Sequence, residues 1–305
     1  MQIIDGKKLR NEILDKVKTE VIILSFKPVF CDVLVGNDPA SLQYVDMKMR
    51  SAESVGIAFH KANFPLYINT NDLIEEIKIL NKIQNMCGII IQLPLPEHID
   101  RQMVLDSIDP KLDVDCLGEI ASEKFYNNYD AKHDLAFPTA LACMTLLDSV
   151  NLNLENKKIV VLGQGSLVGK PVAALLKFRG FNPTIITSKT PARNAYGEAV
   201  AGGENKEQLI KEADVIISGI GKGKYITGNM IKEGATLLDA GTSDMNGGII
   251  GDVDLESVKD VAGYVSSVPG GVGPVTVAML LNNVLKVAKR LTHNPSPYNG
   301  EGKSN

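Results

Sequence analysis

Long apolar runs are missing from this 305-residue sequence. None approaches the roughly 18 residues that a membrane-spanning helix needs, so no membrane partner is expected. The opening residues, Met1 to Lys8, carry no signal-peptide apolar core, which sets the expectation of a cytoplasmic protein. Cysteine is scarce: Cys31, Cys87, Cys116 and Cys143 show no CxxC or other metal-type spacing. Cys31 and Cys87 lie in or beside apolar strand-like runs, where reduced, buried thiols are expected, and this fits a reducing compartment. His60, His98, His133 and His293 form no ligand spacing either, so no metal is expected. An excess of one charge is also lacking. The net charge is −4 with a pI near 5.7, and the basic residues form no arm or stripe, so nucleic acid is not an expected partner.

What is present is ordinary for a globular protein: 44% hydrophobic and 22% charged residues, enough for a sizeable core. The length suggests two domains at roughly 150 residues each. Strand-like runs at Val29–Val35, Gly88–Ile91, Ile159–Leu162, Thr184–Thr187, Val215–Ser218 and Ala235–Asp239 alternate with helical patterns. The helical patterns cover Lys7–Leu24, Ala40–Val55, Asp72–Ile83, Val168–Phe178 and Lys206–Lys211. Such alternation predicts an α/β fold of βαβ units with mostly parallel sheets and right-handed crossovers. A boundary is expected near Leu135–Ala140, where the polar stretch Ser122–Asp134 ends and a helical pattern, Leu141–Val150, begins. A new βα pattern starts at Lys157, Val275–Arg290 reads as a long helix, and the tail Thr292–Asn305 is expected to fray. The connection between Thr190 and Ala213 exceeds the usual length of about 2–6 residues. It reads as a surface excursion with a short helix over Asn205–Lys211.

Two distant segments look built for chemistry. In Ser41–Lys48, Tyr44 and Lys48 stand at i and i+4, so a helix puts a phenol and an amine on one face, suited to proton transfer. In Val268–Thr276, a Gly-Pro loop lets backbone approach a flat ligand closely. A third segment, Ile159 to Pro171, follows a strand and opens a helix, with Gly163, Gly165 and Gly169 spaced GxGxxxG. A tight turn ahead of a helix N-terminus offers backbone N–H groups to phosphate, so the segment reads as a nucleotide site, the alternative being a glycine turn that only packs a helix on a sheet. The next strand ends at Thr187-Ser188-Lys189, about where a free ribose hydroxyl is read by an acidic residue. Ser188 and Lys189 suit a 2′-phosphate better, which favours NADP over NAD. Gln92 lies between apolar neighbours at a strand end and so needs a hydrogen-bond partner. Asp113 and Asp115, taken alone, read equally well as caps of a helix or turn.

Six segments occur in one family's order: Tyr44-Val45-x-x-Lys48; Gly88 to Pro96, ending Gln-Leu-Pro-Leu-Pro; Asp113-Val114-Asp115; Gly163 to Pro171; Gly251-Asp252-Val253; and Val268 to Pro274. Across residues 1–290 the chain therefore resembles the bifunctional methylenetetrahydrofolate dehydrogenase/methenyltetrahydrofolate cyclohydrolase family. The resemblance implies two α/β domains, the second a Rossmann-like nucleotide-binding domain, with a folate cleft between them. Residues 1–140 and a returning helix over 275–292 would form the catalytic folate-binding domain, 141–274 the NAD(P) domain and 293–305 a flexible tail. It also implies a homodimer, and oxidation of methylenetetrahydrofolate with NADP followed by hydrolysis to formyltetrahydrofolate, a step of one-carbon metabolism that serves purine biosynthesis. Lys48 would be the acid/base group, Gln92 its hydrogen-bond partner, Tyr44 a stacking or orienting group and Asp115 an acceptor for the pterin ring. Pro269, Gly270 and Gly271 would line the folate. Gly163, Gln164, Gly165, Ser166, Leu167, Val168, Ser188, Lys189 and Gly273 would take the cofactor.

The chain also departs from that family's pattern. Leu112 and Cys116 flank Asp-Val-Asp where the family has Lys and Gly, and Phe137–Ala142 replaces a Pro-Cys-Thr-Pro-x-Gly segment. Gln164 stands for an Arg, Thr187 for a His, Ser266 for a Thr and Ser267 for a Pro. Losing the Arg weakens a 2′-phosphate clamp. Two alternatives follow: a monofunctional relative (an NAD-dependent dehydrogenase, or a cyclohydrolase only), and a folate-binding paralogue without turnover.

Overall fold

The computed structural model describes residues 1–187, 206–245 and 248–293. In chain order, β1 (Gln2–Ile4) and α1 (Gly6–Val21) lead to β2 (Val29–Val35), α2 (Pro39–Ser54), β3 (Ala58–Phe64), α3 (Thr70–Leu80) and β4 (Met86–Ile91). Three helices follow: α4 (Arg101–Asp106), α5 (Glu119–Asn128) and α6 (Pro138–Ser149). Next come β5 (Ile159–Leu162), α7 (Gly169–Phe178), β6 (Thr184–Ile186), α8 (Lys206–Glu212), β7 (Val215–Ser218) and β8 (Thr236–Asp239). The chain closes with β9 (Ser243–Met245), β10 (Gly248–Ile250), α9 (Leu255–Val258), β11 (Tyr264–Ser266) and α10 (Val272–His293). Among the described residues, no helix is long and apolar enough to cross a membrane. Ser188, Lys189, most of the long connection after Thr190 and nearly all of the tail lie outside the described residues.

Two compact units divide the chain. One comprises Asn11–Pro138 and Val277–Asn305, the other Met1–Arg10 and Thr139–Thr276. The first holds a three-stranded parallel sheet in the order β3-β2-β4. β2 is central, and its sequence Val-Phe-Cys-Asp-Val-Leu-Val is a near-continuous apolar run, as expected of a parallel strand covered on both faces. Its helices start on chemical signals. The Asp38 carboxylate accepts from Ser41 N at 2.8 Å with Pro39 in the first turn, and Asn69 Oδ1 accepts from Asp72 N at 2.9 Å. Val284 of α10 lies so close to Gly88 that a Cβ there would come within 2.9 Å of it. Asn283, fully buried, donates to Val114 O at 2.9 Å and Ala136 O at 2.7 Å, pinning two loops of this unit to the helix.

The second unit is built on a six-stranded parallel sheet, β1-β11-β8-β7-β5-β6, with a separate antiparallel β9–β10 pair. β5 sits between β6 and β7, so strand order reverses there, and the carboxyl end of β5 is the topological switch point. The core under this sheet is Val160, Leu162, Ile186, Ile216, Leu237 and Val265 with their neighbours. β1, at the other edge, pairs in parallel with β11, so the first ten residues cluster with this unit. The polar stretch expected at Ser122–Asp134 is in part helix α5. Only Phe125 of that helix is buried, too sparse a pattern for periodicity to reveal, and its ring packs on Phe137 at 5.1 Å between centroids.

Candidate active site

α2 buries Ser41, Val45, Lys48 and Ala52, one stripe at helical spacing. A lysine in that stripe is largely withdrawn from solvent. Lys48 is 7% exposed, and its ammonium meets two partners from the sheet below. Nζ lies 2.7 Å from Asp32 Oδ2 on β2 and donates to Gln92 Oε1, just past β4, at 2.7 Å. The Asp32 contact is an ion pair, and among the described residues its Oδ1 has no hydrogen-bond partner. Gln92 is fixed in turn: its N–H donates to Val33 O at 2.8 Å and its Nε2 to Leu93 O at 2.8 Å. The partner that Gln92 requires is therefore Lys48. Tyr44, one turn earlier on α2, is 39% exposed and faces solvent.

Asp32 escaped sequence reasoning. It is 0% exposed in the middle of β2, and burial raises its carboxyl above the ordinary range while Lys48 pulls it down. A charged residue inside an apolar strand was the signal available.

The loop after β4 separates the two aspartates of Asp-Val-Asp. The backbone there runs alongside the strand, with Ile89 N donating to Leu112 O at 2.8 Å. Asp113 closes a turn by accepting from Gly118 N at 2.8 Å, which is the capping role. Burial still lifts its carboxyl to about 6. Asp115 is lifted further, to about 7, by burial first, with the Lys48 charge opposing and Asp113 and Asp32 adding to the rise. Asp115 thus belongs electrostatically with Lys48 and Asp32, and Asp113 is structural. Cys116 occupies the left-handed region at φ 58°, where a glycine would be unstrained.

In the second unit the glycine turn follows β5. Gly163 has φ 96°, and its N–H donates to Ile186 O at 2.9 Å. Gly169 begins α7 against that turn, and a Cβ there would sit 2.2 Å from Gly163 O. Gly165 is the opposite case: among the described residues nothing lies within 4 Å of a Cβ built on it. Gln164, Ser166 and Leu167 are exposed and Val168 half-buried, and α7 starts without a side-chain cap. Within its first turn, Lys170 N donates back to Gly165 O at 3.2 Å and Pro171 carries no N–H, so it is the exposed backbone of Gln164 to Leu167 at the switch point, rather than the helix's own first turn, that has room for a phosphate. Lys206, at the start of α8, donates through Nζ to Thr187 O and so brings a cation to the end of β6. Sequence reasoning had not singled it out. Behind the turn, buried Asp252 accepts from Ser218 Oγ at 2.6 Å, Ile220 N at 2.9 Å and Lys222 N at 2.6 Å. Asp239 accepts from Asp252 N at 3.0 Å and Val253 N at 2.8 Å, and a Cβ on Gly251 would meet its Oδ2 at 2.0 Å. The Gly-Asp-Val string is thereby explained as packing and loop closure.

The Pro269 loop is in the same unit. Gly270 has φ 111°, and Gly271 N donates to Ser267 O at 2.7 Å. A Cβ on Gly6 would meet Gly271 O at 2.0 Å, so Gly271 is buried against the N-terminal segment. Pro269 and Gly273 are exposed, the latter with open space around it.

Known proteins match most of this chain. The model of the tetrahydrofolate dehydrogenase/cyclohydrolase catalytic domain matches residues 4–115, and that of the family's NAD(P)-binding domain matches residues 138–292. The bifunctional protein FolD of Halothermothrix orenii is 39% identical over 292 residues, covering 94% of this chain and 98% of the relative. The crystal structure of FolD from Campylobacter jejuni, a methylenetetrahydrofolate dehydrogenase/cyclohydrolase, superposes with a TM-score of 0.86 at 33% identity, over 95% of this chain and 99% of the other. FolD of Trypanosoma brucei, solved with NADP cofactor and inhibitor, gives 0.84 at 30% identity, over 94% and 97%. The chain belongs to the tetrahydrofolate dehydrogenase/cyclohydrolase family.

Proposed function

We propose that the protein oxidises 5,10-methylenetetrahydrofolate to 5,10-methenyltetrahydrofolate with NADP and then hydrolyses that product to 10-formyltetrahydrofolate. The observation that carries the reading is the buried Lys48, held at 2.7 Å by both Asp32 and Gln92. Relatives bearing the bifunctional name over nearly their whole length support both activities in one chain. The NADP complex of the trypanosomal relative and the Lys206 cation at the end of β6 support NADP over NAD.

NADP, when bound, supplies the hydride acceptor for the oxidation. The turn from Gly163 to Val168 would hold its phosphates, and Gly273, Ser188 and Lys189 would be further contacts. In the hydrolysis, a water oxygen bonds to the cationic bridging carbon and one carbon–nitrogen bond breaks. Lys48 takes the proton that the water loses and returns a proton to the departing nitrogen. Gln92 aims the amine, Tyr44 stacks on or orients the folate, and Asp115 hydrogen-bonds the pterin ring. Pro269, Gly270 and Gly271 are further folate contacts. A homodimer in the cytoplasm, serving one-carbon metabolism and purine biosynthesis, completes the reading.

Lys48→Met tests it. Hydrolysis of methenyltetrahydrofolate is expected to vanish while folate binding partly survives, read by the loss of methenyl absorbance and by ligand titration. Near wild-type hydrolysis in that variant contradicts the role of Lys48.

A further inference from the structure

We propose that Asp32 is a positioning residue that sets the charge of Lys48, holding it as an ammonium clamped against Gln92 while the site is at rest. Three observations carry this. First, Asp32 has no structural employment of its own. Asp113, a comparably buried aspartate nearby, is stabilised by backbone N–H groups of the Asp115–Gly118 turn. Among the described residues Asp32 has no backbone donor: Oδ1 lacks a hydrogen bond, and the group at bonding distance is Lys48. Second, a carboxylate in a fully covered strand is costly unless something compensates it, and an opposite charge at 2.7 Å is the compensation present. Third, the geometry is convergent. Asp32 on β2 and Gln92, just past the end of the adjacent parallel strand β4, reach the same nitrogen, so its position is set by the sheet side and not by the helix alone.

The other charged and titratable groups around Lys48 are accounted for. Lys61 on β3 is paired with Asp46 of α2 at 3.2 Å and acts on Asp32 only at longer range. Cys31, beside Asp32 on β2, is held as a thiol by burial. Tyr44 faces solvent. Asp113 and Asp115, after β4, gain negative charge only as pH rises through about 6 and about 7, and Asp115 is the second carboxyl coupled to Lys48 when Asp32 is neutralised. An Asn at position 32 is therefore compatible with folding.

A hydrolysis that needs the free amine is then restrained at low pH by Asp32. This kinetic consequence rests on the activity proposed above, whereas the charge coupling does not, and the experiment has an arm for each. Lysine-selective ¹⁵Nζ NMR follows the Lys48 signal, assigned by its loss in Lys48→Met, through a pH titration of wild type and Asp32→Asn. The expected result is a titration midpoint lower by about one pH unit or more in the variant, the ordinary size for losing an adjacent opposite charge. Coincident midpoints overturn the inference. The second arm is the pH profile of methenyltetrahydrofolate hydrolysis in wild type, Asp32→Asn and Asp32→Val. Both variants are expected to move the acidic limb to lower pH, and unmoved limbs with a uniform loss of rate would reduce Asp32 to packing. Wild-type protein that hydrolyses nothing overturns the proposed function and leaves the NMR arm to decide Asp32.

Discussion

Lys48 and Asp32 are each expensive to bury and affordable together. Removing one partner leaves the other uncompensated, whereas replacing both with apolar groups removes the cost along with the pair. Lys48→Met is therefore expected to lower stability by about 1–3 kcal/mol, a loss limited because a carboxyl already displaced upward can take a proton. The double variant Asp32→Val/Lys48→Met is expected to regain most of it, as read by urea midpoints. A double variant less stable than the single one contradicts that coupling. At this scale, legibility followed local contrast. Lys48 and Gln92 were readable because a Tyr-x-x-x-Lys face and a polar group at an apolar strand end both demand explanation. Asp32 demanded one equally, but its partner lies on a different element, and no spacing rule connects a strand residue to a lysine 16 positions on.

The elements show the same division between local and distant causes. Two glycines of one turn differ in what limits them. Gly169 has no room because α7 closes onto Gly163, whereas Gly165 has open space where a ligand phosphate is proposed to approach. Gly169→Ala is expected to destabilise the second unit measurably. Gly165→Ala should keep the wild-type melting temperature and weaken nucleotide binding several-fold by calorimetric titration. Equal thermal losses in both variants would contradict this reading of the turn. The turn was legible because glycine spacing between a strand and a helix is a local pattern. The short edge strand β1 and its neighbour β11 were not. Three residues carry no periodicity, and their pairing joins residues 2–4 to residues 264–266. β3 was hidden by its edge position, where exposed polar residues interrupt the apolar run. Ser188 and Lys189, read as cofactor contacts, lie outside the described residues, so Lys206 carries the structural argument at that strand end.

For the whole molecule, buried carboxyls fix the direction of the pH response. Asp113 and Asp239 are raised to about 6 and Asp115 to about 7, chiefly by burial. A carboxyl raised in the folded state binds a proton there that the unfolded chain has already released above about pH 4. Its stabilising contribution is full below that pH and is lost as pH rises through 6 to 7. The carboxyls held low, Asp38, Asp134, Asp214 and Glu212, act in the opposite sense, but only below about pH 4.5. Stability in urea is therefore expected to fall between pH 5 and pH 7, with a shallower fall in Asp113→Asn, and a rise over that interval would contradict the burial argument. The most direct test of the molecule's activity is ultraviolet absorbance of the purified protein. It would be given methylenetetrahydrofolate with NADP or NAD in parallel, then methenyltetrahydrofolate alone. Reduction of NADP in preference to NAD, together with accelerated loss of methenyl absorbance, is the expected result. Turnover with NAD only, or bound folate with no turnover in either assay, would contradict it.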